Sequence, residues 1–413
     1  MTDSCATPQP MLRTAEARRR LLDAVRPVAG WESVAVRSAL GRVLYRDVVA
    51  PFDVPAYDNS AMDGYALRHA DLDAAADTRL AVVGTALAGA AFSGVVGPGQ
   101  AVRIMTGAVM PRGADTVVMQ EAAKADGDDV LVAPGVKPGQ HLRRAGEDLA
   151  KGKAALAAGK RLTPADLGLL ASLGYAEVTV RRRPRIAFFS TGDELASIGR
   201  PLAPGEVYDS NRYTLYGALT RLGVEILDMG VVRDEPAAME AAFREAAAQA
   251  DAILTTGGVS VGDADYVKEM VARLGEVHFW KIDIKPGRPM AFGQVQSTWL
   301  FGLPGNPVAV MVTYLQIVQD ALLKLMGVDP LPMRPTFRLP CASAIKKLAG
   351  RREFPRGQLF QADGQWQVRV SGNQGSGVLR SMSEADCFIV LPEDSGNVSV
   401  GDLVEVQPFE GLI

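Results

Sequence analysis

Residues 300–315 read LFGLPGNPVAVMVTYL, two apolar runs separated by Pro304, Gly305, Asn306 and Pro307. The run before the interruption, STWLFGL (297–303), is short, aromatic and β-branched, which predicts a buried strand. After it, Val308, Met311, Val312 and Leu315 recur at helical spacing. A helix is therefore expected to start at Pro307, where no amide hydrogen is needed, with Asn306 at the cap position before it. A rigid turn of this kind leaves the first helical amides, backed by the positive end of the dipole, at the end of a strand. Such a place suits an anion.

Two other stretches share this design. RIAFFSTGDEL (185–195) and DAILTTGGVSVGDADYV (251–267) each run from an apolar segment through a polar or Gly-rich turn into a further segment. YTLYGALTRLG (213–223) and PAAMEAAFREAAAQA (236–250) supply helices between them. The alternation predicts a parallel sheet covered on both faces, with ligands at the carboxyl ends of its strands. Upstream, RTAEARRRLLDAVR (13–26) looks helical, and LTPADLGLLASLG (162–174) is a short helix with Thr163 as cap and Gly174 at its end. RRRPR (181–185) reads as a solvated basic connector at a boundary. Short strands and glycine turns fill residues 46–146, and alternating strands return after about residue 330. The expected fold class is multidomain α/β and β: a central three-layer α/β domain with a parallel sheet, a β-rich inserted domain and a small C-terminal β-barrel.

At 413 residues the chain is long enough for about three domains. Forty-four Lys plus Arg against 47 Asp plus Glu give a formal net charge of -3, so the whole molecule has no attraction to nucleic acid or anionic lipid. Any phosphate binding must be local. The start, MTDSCATPQPMLRTAEARRR, has no apolar stretch to serve as a signal peptide, and a cytoplasmic protein without a membrane anchor is expected. Cys5, Cys341 and Cys387 are too few and too scattered for a disulfide framework or a structural zinc site. There is no G-x-x-x-x-G-K-[ST] loop and no G-x-G-x-x-G after a strand, which argues against a P-loop NTPase or a Rossmann dehydrogenase.

Candidate chemistry gathers at the turns. Gly257 and Gly258 directly follow a strand and allow a backbone to approach a ligand, and Ser260, Asp263 and Asp265 follow them. STGDEL (190–195) repeats the design with Asp193 and Glu194. Carboxylates gathered on one sheet edge repel one another, and a hard cation such as Mg2+ bridging them to phosphate oxygens relieves this. The opposite charge comes from VHFWKIDIKPGRPMAFG (277–293), where alternation puts Lys281 and Lys285 on one face of a strand and Ile282 and Ile284 on the other. Arg288 follows a Pro-Gly turn, and the three cations make a candidate clamp for a tetrahedral oxyanion. In the β-rich part, Asp58, Asn59, Ser60, Asp63, Thr106, Glu121, Glu147 and Asp148 are polar candidates, any of which could simply form turns.

Taken in order, DNSAMDGYA, TGAVMPRGAD, GED, STGDEL, YDSN, GGVSVGDADY, KPGRP and GLPGNP resemble the MoeA family of bacterial molybdopterin molybdenumtransferases, whose domains are similar to the C-terminal part of gephyrin. The resemblance runs from about residue 10 to the C-terminus, with small departures such as Thr256 for Ser and Asp263 for Glu. It implies the last step of molybdenum cofactor synthesis, in which adenylylated molybdopterin and molybdate give the metal-loaded cofactor and AMP with the help of Mg2+. It also implies a homodimer, contact with the preceding adenylyltransferase and with acceptor molybdoenzymes, and four domains per chain. Those would be an elongated linking domain (27–45 and 147–176), a β-rich domain (46–146), the α/β molybdopterin-binding domain (1–26 and 177–327) and a C-terminal barrel (328–413).

By the same resemblance Asp58, Asp148 and Asp265 are acidic site residues, with Lys281 and Lys285, in the catalytic set. Glu194, Asp234 and Asp265 are the expected metal ligands. Thr106, Gly257, Gly258, Ser260, Arg288, Pro304, Pro307, Arg356 and Ser376 are the expected substrate contacts. Two other readings are a gephyrin-like scaffold without catalysis and the preceding adenylyl transfer to the pterin.

Overall fold

A computed structural model describes residues 11–258 and 266–409. The chain divides into two compact units: Met1–Tyr45 with Gly159–Thr163 and Thr179–Ile413, and Arg46–Ala158 with Pro164–Val178. The first contains the α/β sheet and the C-terminal barrel.

The α/β sheet places Leu12–Arg13, Gly275–Lys285, Pro289–Val295, Thr298–Leu303, Ala252–Thr256, Arg185–Thr191 and Glu225–Val232 side by side in that order. The last four run parallel, with Leu254 opposite Phe301 and Phe188 opposite Leu254. Pro289–Val295 is antiparallel to both of its neighbours. The sheet is therefore mixed, with a parallel half carrying the expected turns and a hairpin extending its edge.

Side chains that alternate along the buried strands feed two cores. Ile186, Phe188 and Leu254 face Leu21, Leu215, Leu219 and Ile317 on one side. Ala187, Phe189 and Ile253 face Met239, Phe243, Val267 and Met270 on the other. Helices thus cover both faces, the three-layer arrangement expected from the sequence. Each wholly buried phenylalanine in these layers stabilises the fold by about 1.5–3 kcal/mol relative to an exposed one.

The helix after the PGNP turn starts at Pro307, as its spacing predicts, and continues through a wide π-turn at Tyr314–Val318 to Met326. Its apolar 20 residues are long enough to cross a membrane, but 83% of its most apolar window is buried inside the protein, which makes it a core helix. Asn306 occupies the cap position with no side-chain capping bond, so only the backbone part of that expectation holds. The basic connector is not merely solvated. Arg182 grips Asp251 through two bonds of 2.8 and 2.7 Å, and Arg185 pairs with Glu225.

Phe337–Pro340, Leu403–Pro408, Cys387–Val390, Arg356–Ala362 and Gln365–Val370 form the C-terminal sheet in that order. A bridge between Cys341 and Val368 brings its two edges together into a small barrel, filled by Cys341, Val368, Cys387, Ile389 and Val406. In the second unit a six-stranded sheet runs Thr116–Met119, Gly64–Leu67, Gln100–Ile104, Thr78–Ala86, Asp129–Val132 and Ala123–Asp126. Gly64 is needed there, because a Cβ would sit 1.9 Å from the Val118 carbonyl oxygen.

One buried carboxylate ties distant parts of the first unit together. Asp320, on the core helix and 3% exposed, accepts from Arg18 Nε at 2.5 Å and Arg334 Nη2 at 2.7 Å. Removing its charge leaves both guanidiniums without their anion. Asp320→Asn is expected to destabilise the first unit by about 1–3 kcal/mol, read as a lowered midpoint in a thermal melt. An unchanged midpoint contradicts this role.

Candidate functional site

The carboxyl ends of the four parallel strands deliver the turns Gly192–Asp193–Glu194, Arg233–Asp234, Gly257–Gly258 and Pro304–Pro307 to one edge. They border a cavity of about 1250 Å³ whose wall also includes the Pro-Gly turn at 286–287 and barrel residues near Arg356 and Ser376.

Local backbone chemistry explains why these turns take the shapes they do. Gly257 has φ +86°, and a Cβ there would lie 2.3 Å from the Thr191 carbonyl oxygen. Gly258 has φ +64° and is as tightly enclosed, with Val267 Cγ2 at 2.7 Å from the same virtual atom. Only glycine fits either position. A Cβ on Gly305 would meet the Gly257 Cα at 3.8 Å, so the GG and PGNP turns touch.

Asn211, from the YDSN motif, joins those turns. Its Nδ2 donates to Thr256 Oγ1 at 2.9 Å and to the Gly305 carbonyl at 2.7 Å, and Thr256 Oγ1 donates to the Pro304 carbonyl at 3.0 Å. Thr256 and Asn211 are buried at the end of the strand Ala252–Thr256, whereas Gly305 is exposed.

One part of the wall is acidic. Glu194 and Asp234 line it, and the Asp234 backbone amide donates to Asp193 Oδ1 at 3.4 Å. Burial, followed by the charges of Asp193 and Glu194, holds the Asp234 carboxyl above the usual carboxylate range. Among the described residues no group of three or more His, Cys, Asp or Glu is placed to hold a metal ion. Asp265 and Ser260 lie outside the described residues, so of the three expected metal ligands only Glu194 and Asp234 can be located on the wall.

Another part is basic. The buried Ile282 and Ile284 alternate with Lys281 and Lys285, both on the exposed side, as expected. Lys285 lines the cavity and pairs at 3.0 Å with the buried Glu353. Lys281 and Arg288 do not line it, and Arg288 Nε sits 3.2 Å from Met11 Sδ.

Arg356 is 1% exposed, and burial pulls its guanidinium down to about 10. It donates to Ser381 Oγ at 3.1 Å and to the carbonyls of Asn373 and Gly375 at 3.2 and 3.1 Å. These neutral partners give the arginine a task of its own, which is to shape the loop carrying Ser376. The Ser376 carbonyl then accepts the Val308 amide at 3.0 Å. The first free amide expected at the helix start is thus already in use, a correction to the reading of an open anion site.

Of the expected contacts, Gly257, Gly258, Pro304, Pro307, Arg356 and Ser376 share the wall with Glu194, Asp234 and Lys285. Asp58, Thr106 and Asp148 belong to the second unit, where they serve turns and loops. Asp58 Oδ1 accepts the Ala145 amide at 2.7 Å, and the amide and hydroxyl of Thr106 both donate to Asp63 Oδ1 at 2.7 Å. The Asp148 amide donates to the Val54 carbonyl at 3.1 Å. Sequence reasoning assigned no role to Asp209, Asn211 or Glu353. The polar YDSN run ahead of a helix was the available signal for the first two.

Models of known families match almost the whole chain. The MoeA N-terminal region (domain I and II) covers residues 12–174, a probable molybdopterin binding domain covers 187–324, and the MoeA C-terminal region (domain IV) covers 338–409. The chain is 42% identical to the molybdopterin molybdenumtransferase of Haemophilus influenzae, over 98% of this chain and 100% of that one. The enzyme of the same name from a Nostoc species is 37% identical, over 97% and 94%. The crystal structure of the molybdopterin biosynthesis moeA protein from Pyrococcus horikoshii superimposes with a TM-score of 0.83 at 30% identity, covering 97% of this chain and 100% of that one. The chain therefore belongs to the MoeA family of molybdopterin molybdenumtransferases and to molybdenum cofactor biosynthesis.

Proposed function

We propose that this protein inserts molybdenum from molybdate into adenylylated molybdopterin and releases AMP. The observation that carries the reading is a single cavity whose wall holds both the carboxylates Glu194 and Asp234 and the cations Lys285 and Arg356. Molybdate is a tetrahedral dianion and the adenylylated pterin is rich in phosphate. A site for both needs cations for the oxyanions and a way to hold phosphates beside carboxylates.

Each residue has a task in this scheme. Lys285, steadied by Glu353 at 3.0 Å, brings its ammonium to an oxyanion at the cavity wall. Arg356 shapes the Ser376 loop and adds positive charge from beneath. The glycines of the GG turn let backbone approach the substrate, and the proline-framed PGNP turn keeps its geometry fixed, so that little reorganisation accompanies binding. Glu194 and Asp234 would hold Mg2+, and their oxygen donors suit that hard cation. When bound, the ion would supply positive charge to the phosphate that AMP carries away. The raised carboxyl of Asp234 supports this, because a bound cation offsets both the burial and the neighbouring negative charges that raise it. The reading carries with it a homodimer as the working form.

Two measurements test the scheme. Purified protein given adenylylated molybdopterin is expected to release AMP only when molybdate is also present, and molybdate-independent release or no release at all rejects it. The second concerns the acidic part. Asp234's raised value means the folded state holds its proton more tightly than the unfolded chain does. Its burden on stability is therefore absent at low pH and grows as pH rises through the raised value. Near neutral pH without Mg2+, Asp234→Asn is expected to melt no lower than the parent. With Mg2+ at about ten times its dissociation constant the parent gains roughly 1.4 kcal/mol and the variant gains less. Equal Mg2+ stabilisation of the two proteins removes Asp234 from the metal set.

A further inference from the structure

Among the described residues, two oxygens on one element at the cavity wall have no partner. Asp209 and Asn211, 3% and 8% exposed, flank the start of the helix Ser210–Leu222 and line the cavity. Asp209 Oδ1 accepts the Arg212 amide at 3.1 Å and caps the helix, whereas its Oδ2 is buried and unpaired. Asn211 uses its amide nitrogen for both Thr256 and Gly305, which fixes which way the group points and leaves Oδ1 buried and unpaired as well. Both orphans are acceptors, and an unmet buried acceptor costs stability unless something supplies a donor.

The ligand at this end of the cavity must therefore bring hydrogen-bond donors. This step rests on the function proposed above. Molybdate and the phosphates offer only acceptors, and the carboxylate of Asp209 repels them. Donors reside in the ribose hydroxyls of the adenylate and in the two ring systems; each hydroxyl is an acceptor as well and belongs, with adenine, to the AMP half. Adenine presents one amine beside an acceptor nitrogen. The 2-amino-4-oxo edge of a pterin presents an amine and a ring N–H side by side, both donors. We propose that Asp209 Oδ2 and Asn211 Oδ1 receive that pterin edge. The ring is thereby fixed at the start of this helix, and the phosphates and molybdate are left to the part of the cavity with Lys285 and Arg356. Asp209 and Asn211 then determine specificity by touching the substrate.

The full chain, titrated in Mg2+ buffer by equilibrium dialysis, is to be compared for pterin (2-amino-4-oxopteridine), lumazine, in which an oxo group replaces the amine, and AMP. Pterin is expected to bind roughly tenfold or more tightly than lumazine, and AMP is not expected to displace it. Asp209→Asn keeps the capping oxygen but puts a donor where Oδ2 accepted, so it is expected to abolish the preference at an unchanged melting temperature. Should that variant fail to fold, the comparison of pterin with lumazine on the parent protein still decides. Absence of pterin binding, equal binding of the two pteridines, or displacement by AMP overturns the proposal. So does loss of a bound Mg2+ in Asp209→Asn with pterin affinity intact, which assigns the oxygens to a cation. A pterin preference that depends on Asp209 in a protein that releases no AMP leaves this inference standing while the proposed reaction falls, and the reverse result separates them the other way.

Discussion

The site depends on one side-chain amide. Asn211 Nδ2 holds Thr256 Oγ1 and the Gly305 carbonyl together, and Thr256 in turn holds the carbonyl of Pro304. Two strand ends and a helix start are thereby locked at a single point through bonds of 2.7–3.0 Å, with Asn211, Thr256 and Pro304 buried. In such surroundings a polar group left unpaired is costly, so the arrangement is all or nothing. The two glycines of the GG turn, enclosed by Thr191 and Val267, allow the backbones to come close enough for the lock to form.

Around this point the charges are sorted rather than mixed. Strand ends supply carboxylates, of which Asp234 is raised first by burial and then by its acidic neighbours. The edge hairpin and the barrel supply cations, one paired with a buried glutamate and one held by neutral carbonyls. A cavity organised this way favours a ligand that is itself uneven, with oxyanions at one place and hydrogen-bond donors at another. The buried arginine shows how far the sorting goes, since burial has lowered its proton affinity without a carboxylate to restore it.

Much of this was legible in the sequence. Apolar runs interrupted by Gly and Pro marked the strand ends, and Pro307 marked the helix start to the residue, because proline's missing amide and fixed φ act locally. The alternation of Lys281, Ile282, Asp283, Ile284 and Lys285 gave the faces of the edge strand for the same reason. What failed to show is set by partners remote in sequence. No local feature says that Pro289–Val295 runs antiparallel to its neighbours, and nothing near Val308 says that its amide meets Ser376. Asn211 looked like any polar residue ahead of a helix, since its partners are 45 and 94 residues away. Lys281 and Arg288 looked equivalent to Lys285, but of the three only Lys285 lines the cavity.

The pairing of Leu12 with Ile282 at the sheet edge has a consequence for synthesis. This segment must wait for its neighbour, which leaves the ribosome about 270 residues later. At about 5–20 residues per second that delay is on the order of tens of seconds. Throughout it, the core that Leu21 joins is incomplete, because Ile317 and the rest of the core helix are made later still. The second unit, by contrast, has all its residues once position 178 has emerged. The nascent chain therefore completes the second unit before the sheet edge that Leu12–Arg13 joins.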